Sequence, residues 1–358
     1  ASMEKPPELQ RPWDLMKLII KMAGTLKYYR GRYNQPINTV TRHMQDPWLK
    51  EIWEHIFLPD VPVWFVLVIV GMLNAKNMAL RLDGSAGFAR ALEKRFSEMG
   101  GNISYGATVA EIVVENDRAV GIRVSGNEEH RADAVISAAD GYQTIFKLLS
   151  GRYLDANIQK RYNDWPLFKP VVMVNFGVKR EFREEPWMVA VKADPPISAG
   201  FVSSDWLPVR IFNYSPAFAP EGKTVIQVMV ESAWGPWNSL REDNAAYSAE
   251  KKELEMQVLN CLKKIWPDIS GQIEASDVST PHTMWRYTLN RKGAYEGFAV
   301  TGKTISARVF RTLPGLQQFY MAGQWTIPGG GVVPSLVTGR HAVMLMCRQD
   351  GKKFQRVT

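Results

Sequence analysis

The sequence predicts an α/β protein that carries an inserted α+β part, and three observations predict it. A helix, a hairpin and a further apolar strand follow one another over residues 81–141. A strand, a glycine-rich loop and a helix close the chain within residues 289–358. Between them, residues 142–288 change to several β runs and one long charged helix, which reads as a mixed sheet with helices set between two parts of another domain.

Residues 12–80 read as helical, after a polar, proline-rich start at 1–11. Leu15, Leu18, Ile19, Met22 and Leu26 recur at helical spacing. Asp46-Pro47 is a helix start, with a capping oxygen followed by proline at the first helical position. The run VPVWFVLVIVGML at residues 61–73 is shorter than the roughly 20 apolar residues a bilayer requires, so it reads as a buried helix or strand.

In the second part, Phe88, Leu92 and Phe96 mark one helix face that ends at Gly100-Gly101, where glycine supplies the left-handed exit. Val109–Glu115 is a strand, Asn116-Asp117-Arg118 a turn, and 119–124 the returning strand. After a polar stretch at 125–131, residues 132–140 form an apolar strand that passes into small residues, which permit close backbone approach.

In the third part, Val171–Val178, 187–192, 209–214 and Thr224–Glu231 read as strands, residues 242–266 as a helix, and 278–287 as strand again. The fourth part has a strand over 316–323, then QWTIPGGGVVP, then a helix over 334–348 that begins at proline. A helix N-terminus after a glycine loop presents unpaired N–H groups and the positive end of the helix dipole to an anionic or electron-rich ligand.

Composition narrows the function. A formal charge of +8 with dispersed basic residues, and no zinc-finger, helix-turn-helix or RNP-like signature, argues against nucleic acid as a partner. Two cysteines without a CxxC and five scattered histidines argue against metal and point to a reducing, cytoplasmic compartment.

The segment FYMAGQWTIPGGGVVPSLVTGRHAV at residues 319–343 resembles the C-terminal flavin-contact motif of the phytoene desaturase and carotenoid isomerase-like flavoproteins, within the amine-oxidase-type FAD superfamily. DGSAGFARALEKRFSEMGGNISYGATVAEIVVENDRAVGIRV, followed by ADAVISAAD, is similar to that family's central FAD-domain unit. The resemblance covers the chain from about residue 60. It implies a remnant of a Rossmann-like FAD-binding domain with an inserted substrate domain at 142–288, a helical part of the substrate or cap region at 1–80, and FAD-domain segments at 81–141 and 289–358.

It further implies site residues. Val109 would meet the adenine, and Ser137 and Ala138 lie where the chain returns toward the nucleotide. Gly323 and Gln324 would contact the ribityl chain, with glutamine where many relatives carry aspartate. Gly330, Gly331 and Val332 would bring backbone donors to the pyrimidine end of the flavin ring. Trp285, Tyr287 and Trp325 are candidate linings of a substrate cavity, and no catalytic residue is assigned.

The sequence has no GxGxxG, the turn that holds the FAD pyrophosphate in this family. The expectation is therefore the C-terminal portion of an FAD-dependent oxidoreductase, with weak or absent FAD in this chain. Hydride transfer or isomerisation on a long apolar, carotenoid-like substrate is the leading reading, with contact to the inner face of an anionic membrane. Self-association or an N-terminal partner segment would cover surface left open. A flavin amine oxidase is the alternative enzyme, and a non-catalytic half-protein that binds lipid or a partner is the alternative outside enzymes.

Overall fold

A computed structural model describes residues 4–29, 31–55, 61–304 and 307–355. Helices α1 (Pro12–Met22), α2 (Ile37–Thr41), α3 (Pro47–His55) and α4 (Val63–Asn74) lead the chain. Helix α3 starts where Asp46-Pro47 predicts, with the Leu49 N–H donating to Asp46 Oδ1 at 2.8 Å. The apolar run at 61–73 becomes α4, but the expectation of burial needs correction. Trp64 and Val66 are buried, whereas Leu67, Val68, Val70, Met72 and Leu73 are exposed. A helix that is apolar all round buries only the sides that find a partner.

Helix α5 (Gly84–Glu98) has the predicted extent, and the Gly101 N–H returns to Phe96 O at 3.0 Å to close it. Its predicted inner face is open, because Leu92 and Phe96 are exposed. Strands β1 (Val109–Glu115), β2 (Arg118–Val124) and β3 (Glu129–Arg131) form an antiparallel meander. Asn116 and Asp117 both take positive φ in the turn, the conformation a two-residue hairpin favours. β3 falls in a stretch whose polarity hid it.

Strand β4 (Val135–Ser137) pairs in parallel with β10 (Phe319–Met321), so the second and last parts of the chain share one small sheet. A π-helical segment, Gln143–Leu148, and α6 (Ala156–Asp164) follow β4. They place Ile145, Ile158 and Tyr162 in one core with Ile112, Phe319 and Met321. By packing, residues 143–164 therefore go with the small sheets rather than with the inserted part.

The inserted part is a five-stranded sheet in the order β6 (Met188–Ala199), β7 (Val202–Ile211), β8 (Thr224–Glu231), β5 (Val171–Val178), β9 (Ile273–Ser279). Every neighbouring pair is antiparallel, where the sequence suggested a mixed sheet. Helix α7 (Trp234–Leu240) contributes buried Trp237, and α8 (Asn244–Lys263) lays Leu254, Val258 and Leu262 on the same core as Val172, Val174 and Phe176.

Residues 278–287 were expected to be strand, but α9 (Pro281–Thr288) starts there. Thr280 Oγ1 accepts the Thr283 N–H at 3.2 Å and Pro281 occupies the first helical turn, a cap that outweighs the local β character. Helix α10 (Val332–Gln349) ends the described fold, packing Ala342 and Leu345 on Tyr320 of β10.

Candidate cofactor and substrate site

The site is built at the carboxyl ends of the two parallel strands. The Ala322 N–H donates to Ser137 O at 2.9 Å, which sets Ser137-Ala138 beside Ala322-Gly323. Gly323 has φ +85°, and a Cβ there would stand 3.2 Å from Ala138 O. Its N–H donates to Thr338 Oγ1 of α10 at 2.8 Å, and its carbonyl accepts the Thr326 hydroxyl at 2.9 Å. Beneath the strand end, Ser137 Oγ and Thr144 Oγ1 share a buried hydrogen bond of 2.7 Å. The turn is thus pinned from both sides.

Gln324–Thr326 form a short 3₁₀ turn with Trp325 buried under it. The Trp325 Nε1–H donates to Asn290 Oδ1 at 3.0 Å, and its ring meets Phe298 edge-on at 5.2 Å. The three glycines 329–331 all have positive φ. The chain at 295–300 lies against them: the Gly329 N–H donates to Phe298 O at 3.0 Å, and a Cβ on Gly330 would be 2.5 Å from Glu296 O. Only a side-chain-free loop permits this approach.

Helix α10 then begins at Val332, with Gly331 as its cap and no capping side chain. Its first-turn amides have no partner within the helix, and the dipole adds partial positive charge there. Val332 and Val333 are exposed beside them at 57% and 63%.

An apolar cavity of about 540 Å³ lies on the other side of the 295–300 chain. Pro36, Val61, Leu167, Phe168, Tyr295 and Val300 are among its walls. Val300 joins it to the loop, since a Cβ on Gly329 would lie 2.7 Å from Val300 Cγ2. The charged residues at this cavity, Lys169 and Glu231, neutralise each other in an ion pair of 2.9 Å. Burial pushes the Tyr295 hydroxyl up to about 12, with the nearby charges of Glu296 and Glu231 adding to it. Burial also raises the Glu296 carboxyl above its ordinary value.

The structure brings Ser137, Ala138, Gly323 and Gln324 together, and sets Gly330, Gly331 and Val332 at the helix start. Val109 opens β1 opposite Val124, at the end of the hairpin away from its tie to β10 through Asp117 and Gln317. Trp325 lines a second cavity, behind the loop. Trp285 lies outside both cavities, in an aromatic cluster with Trp234 at 6.0 Å and His282 at 5.4 Å. Tyr287 is 75% exposed, with the Arg286 guanidinium over its ring.

Sequence reasoning missed Asp140, Asn290, Glu296 and Gly297. Asp140 is buried, accepting N–H groups from Gln143 at 2.7 Å and Arg291 at 2.8 Å, and burial raises its carboxyl pKa against the pull of those donors. The spacing of Gly293 and Gly297 in NRKGAYEGFAV was the available signal.

A model of flavin containing amine oxidoreductases matches residues 33–347, most of the sequence. The chain belongs to that family. Among curated proteins, the chain is 28% identical over 274 residues to the chloroplastic prolycopene isomerase of Arabidopsis thaliana, covering 72% of this chain and 44% of that one. It is 24% identical over 372 residues to the neurosporene-forming phytoene desaturase of Cereibacter sphaeroides, covering 97% and 68%. The chain thus spans less than half the length of the isomerase. An oxidoreductase structure from Methanosarcina mazei superimposes with a TM-score of 0.58 at 20% identity, covering 96% of this chain and 74% of that one. A putrescine oxidase triple mutant gives 0.56 at 13%, covering 93% and 75%. These likenesses show the Rossmann-like α/β fold.

The cofactor that the family implies is FAD, and the residues present suit part of it. The backbone cradle at Gly323, Gly330 and Gly331, which Cβ atoms would fill or strain, is the fitting observation. Among the described residues, no group of His, Cys, Asp and Glu is arranged to hold a metal ion.

Proposed function

We propose that this chain is the ring-binding and substrate-binding portion of an FAD-dependent oxidoreductase acting on a long apolar, carotenoid-like substrate, by dehydrogenation or isomerisation. One observation carries the reading: the back of the glycine loop, at Gly329, touches Val300 in the wall of the apolar cavity. A flavin held by the loop and a hydrocarbon held by the cavity would be neighbours across a single strand of chain.

Ser137, Ala138, Gly323 and Gln324 would hold the sugar-side portion of the cofactor, and the amides around Gly331 and Val332 its pyrimidine end. When bound, the flavin accepts or returns a hydride. The N-terminus of α10 then stabilises negative charge that develops against it. Trp325 and Phe298, packed edge-on, would support the loop from beneath. The cavity offers no unpaired charge, which suits a hydrocarbon better than an amine.

The sequence contains no GxGxxG, so FAD is expected to be weak or absent in this chain by itself. Among the described residues no helix is long and apolar enough to cross a membrane. Helix α1 nonetheless exposes Trp13, Met16, Ile19 and Ile20 beside Lys17 and Lys21, which supports peripheral docking on an anionic membrane.

The test is anaerobic flavin reduction in protein reconstituted with FAD and supplied with phytoene-like polyenes in vesicles. Polyene-dependent bleaching or isomerisation is expected. Bleaching by amines alone would favour the amine oxidase, and a protein without flavin under every condition would favour the non-catalytic reading.

A further inference from the structure

The second cavity lies on the face of the β4–β10 pair opposite α10. Met321 of β10 turns into the core shared with α6, whereas Tyr320 turns toward α10. The cavity measures about 500 Å³, within the roughly 300–1,000 Å³ range of small-molecule sites. Ile145, Leu313 and Met321 give it an aliphatic floor, Trp165 and Trp325 aromatic walls.

Arg161, from α6, sets this cavity apart. Its guanidinium carbon sits 5.4 Å from the centre of the Trp165 ring, and its Nε is buried without an acceptor. Among the described residues no carboxylate lies within ion-pairing distance of it. The other charges at the cavity are already engaged. Asp155 Oδ1 caps α6 by accepting the Ile158 N–H at 2.6 Å, acting on Arg161 only through space. Lys160 is paired with Asp164. Arg308, at the exposed rim, donates to two neutral acceptors, Pro7 O at 2.8 Å and Gln10 Oε1 at 3.4 Å.

Two guanidinium groups therefore face a chamber of mixed polar and apolar walls whose one carboxylate not held in an ion pair among the described residues, Asp155, acts on Arg161 only through space. A partly desolvated cation that no carboxylate touches is unfavourable, and a bound anion in contact with it reduces that cost. An inorganic anion would leave the apolar walls wetted, and a neutral apolar molecule would leave Arg161 unpaired. We propose that this cavity binds an organic monoanion, a carboxylate attached to a flat apolar body. The carboxylate takes the planar donor edge of Arg161 and the body lies against Trp165 and Trp325. This cavity borders the underside of the glycine loop through Trp325 and Thr326, but the proposal does not depend on flavin binding there.

The test is calorimetric titration of the purified chain with 1-naphthoate and, separately, with its neutral analogue 1-naphthalenemethanol. One-to-one binding of the acid is expected, weakened at least about tenfold in Arg161→Gln, while the alcohol changes by less than about twofold. Leu313→Trp, which fills the chamber, should abolish binding of both. Thermal unfolding checks that each variant folds; if Arg161→Gln does not, the filled-cavity variant decides alone. Equal affinity for acid and alcohol, acid binding unchanged by Arg161→Gln, or acid binding that survives Leu313→Trp would each overturn the proposal.

Discussion

The carboxylate of Asp140 accepts the backbone N–H of Arg291 at 2.8 Å, tying together stretches 151 residues apart. Its other oxygen accepts the Gln143 N–H at 2.7 Å, so one buried side chain joins the end of β4 to the segment that carries Asn290 and Gly297. Asn290 in turn holds Trp325 beneath the glycine loop. The support of the glycine loop thus runs through a buried carboxylate outside the loop.

Asp140→Ala is expected to destabilise the fold by about 2–4 kcal/mol, since two buried N–H groups lose their acceptor. Burial raises the folded-state pKa of Asp140, so the folded chain binds this proton more tightly than the unfolded chain. Its contribution is therefore greatest below the ordinary carboxyl range and is lost as pH rises through the folded pKa. Urea unfolding of wild type and Asp140→Ala from neutral pH down to about pH 4 should show the gap widening toward acid. A gap that narrows would mean the carboxylate is stabilised as the anion.

That junction also marks the limit of what was legible in the chain. The β1–β2 hairpin could be read because apolar alternation and Asn116-Asp117 are local features. The loop and α10 could be read because proline and glycine punctuate them. Helix α9 was hidden because Thr280-Pro281, its start signal, sits within residues rich in β formers. Asp140, Asn290 and Glu296 were out of reach for another reason: each matters only through a partner distant in sequence. Residues 61–73 misled because composition records that a helix is apolar and not which of its sides finds a neighbour.

Flavin content gives the second prediction. Purified alone, the chain should carry well below one FAD per molecule, because it has no GxGxxG turn for the pyrophosphate and the proposed contacts would reach only the ring and sugar side. Extraction of flavin after denaturation of the purified chain measures this. A full complement in the chain alone would show that other residues hold the pyrophosphate.

Membrane docking gives the third. Ile19 and Ile20 are 58% and 67% exposed on the side of α1 next to Lys17 and Lys21. Ile19→Glu combined with Ile20→Glu removes apolar area and adds repulsion, so binding to phosphatidylglycerol vesicles should fall at least about tenfold. High salt should weaken wild-type binding in the same sedimentation assay. Equal binding to neutral vesicles in low and high salt would remove the electrostatic part of the reading.

The last prediction separates two glycines that share a backbone conformation but not an environment. Gly330 and Gly351 have φ of +48° and +69°. A Cβ on Gly351 meets nothing within 4 Å, whereas one on Gly330 would be 2.5 Å from the carbonyl oxygen of Glu296, a backbone atom that cannot swing aside. Gly351→Ala should therefore cost only the left-handed penalty of about 1–2 kcal/mol. Gly330→Ala carries that penalty and must also push the 295–300 chain off the loop, so it should cost more and disturb the wall that the loop shares with the apolar cavity. In flavin-loaded protein, Gly330→Ala should lower FAD affinity at least about tenfold while Gly351→Ala leaves it within about twofold. Flavin fluorescence titration of the two variants reads the difference, and equal affinities would mean that the glycine loop does not hold the ring.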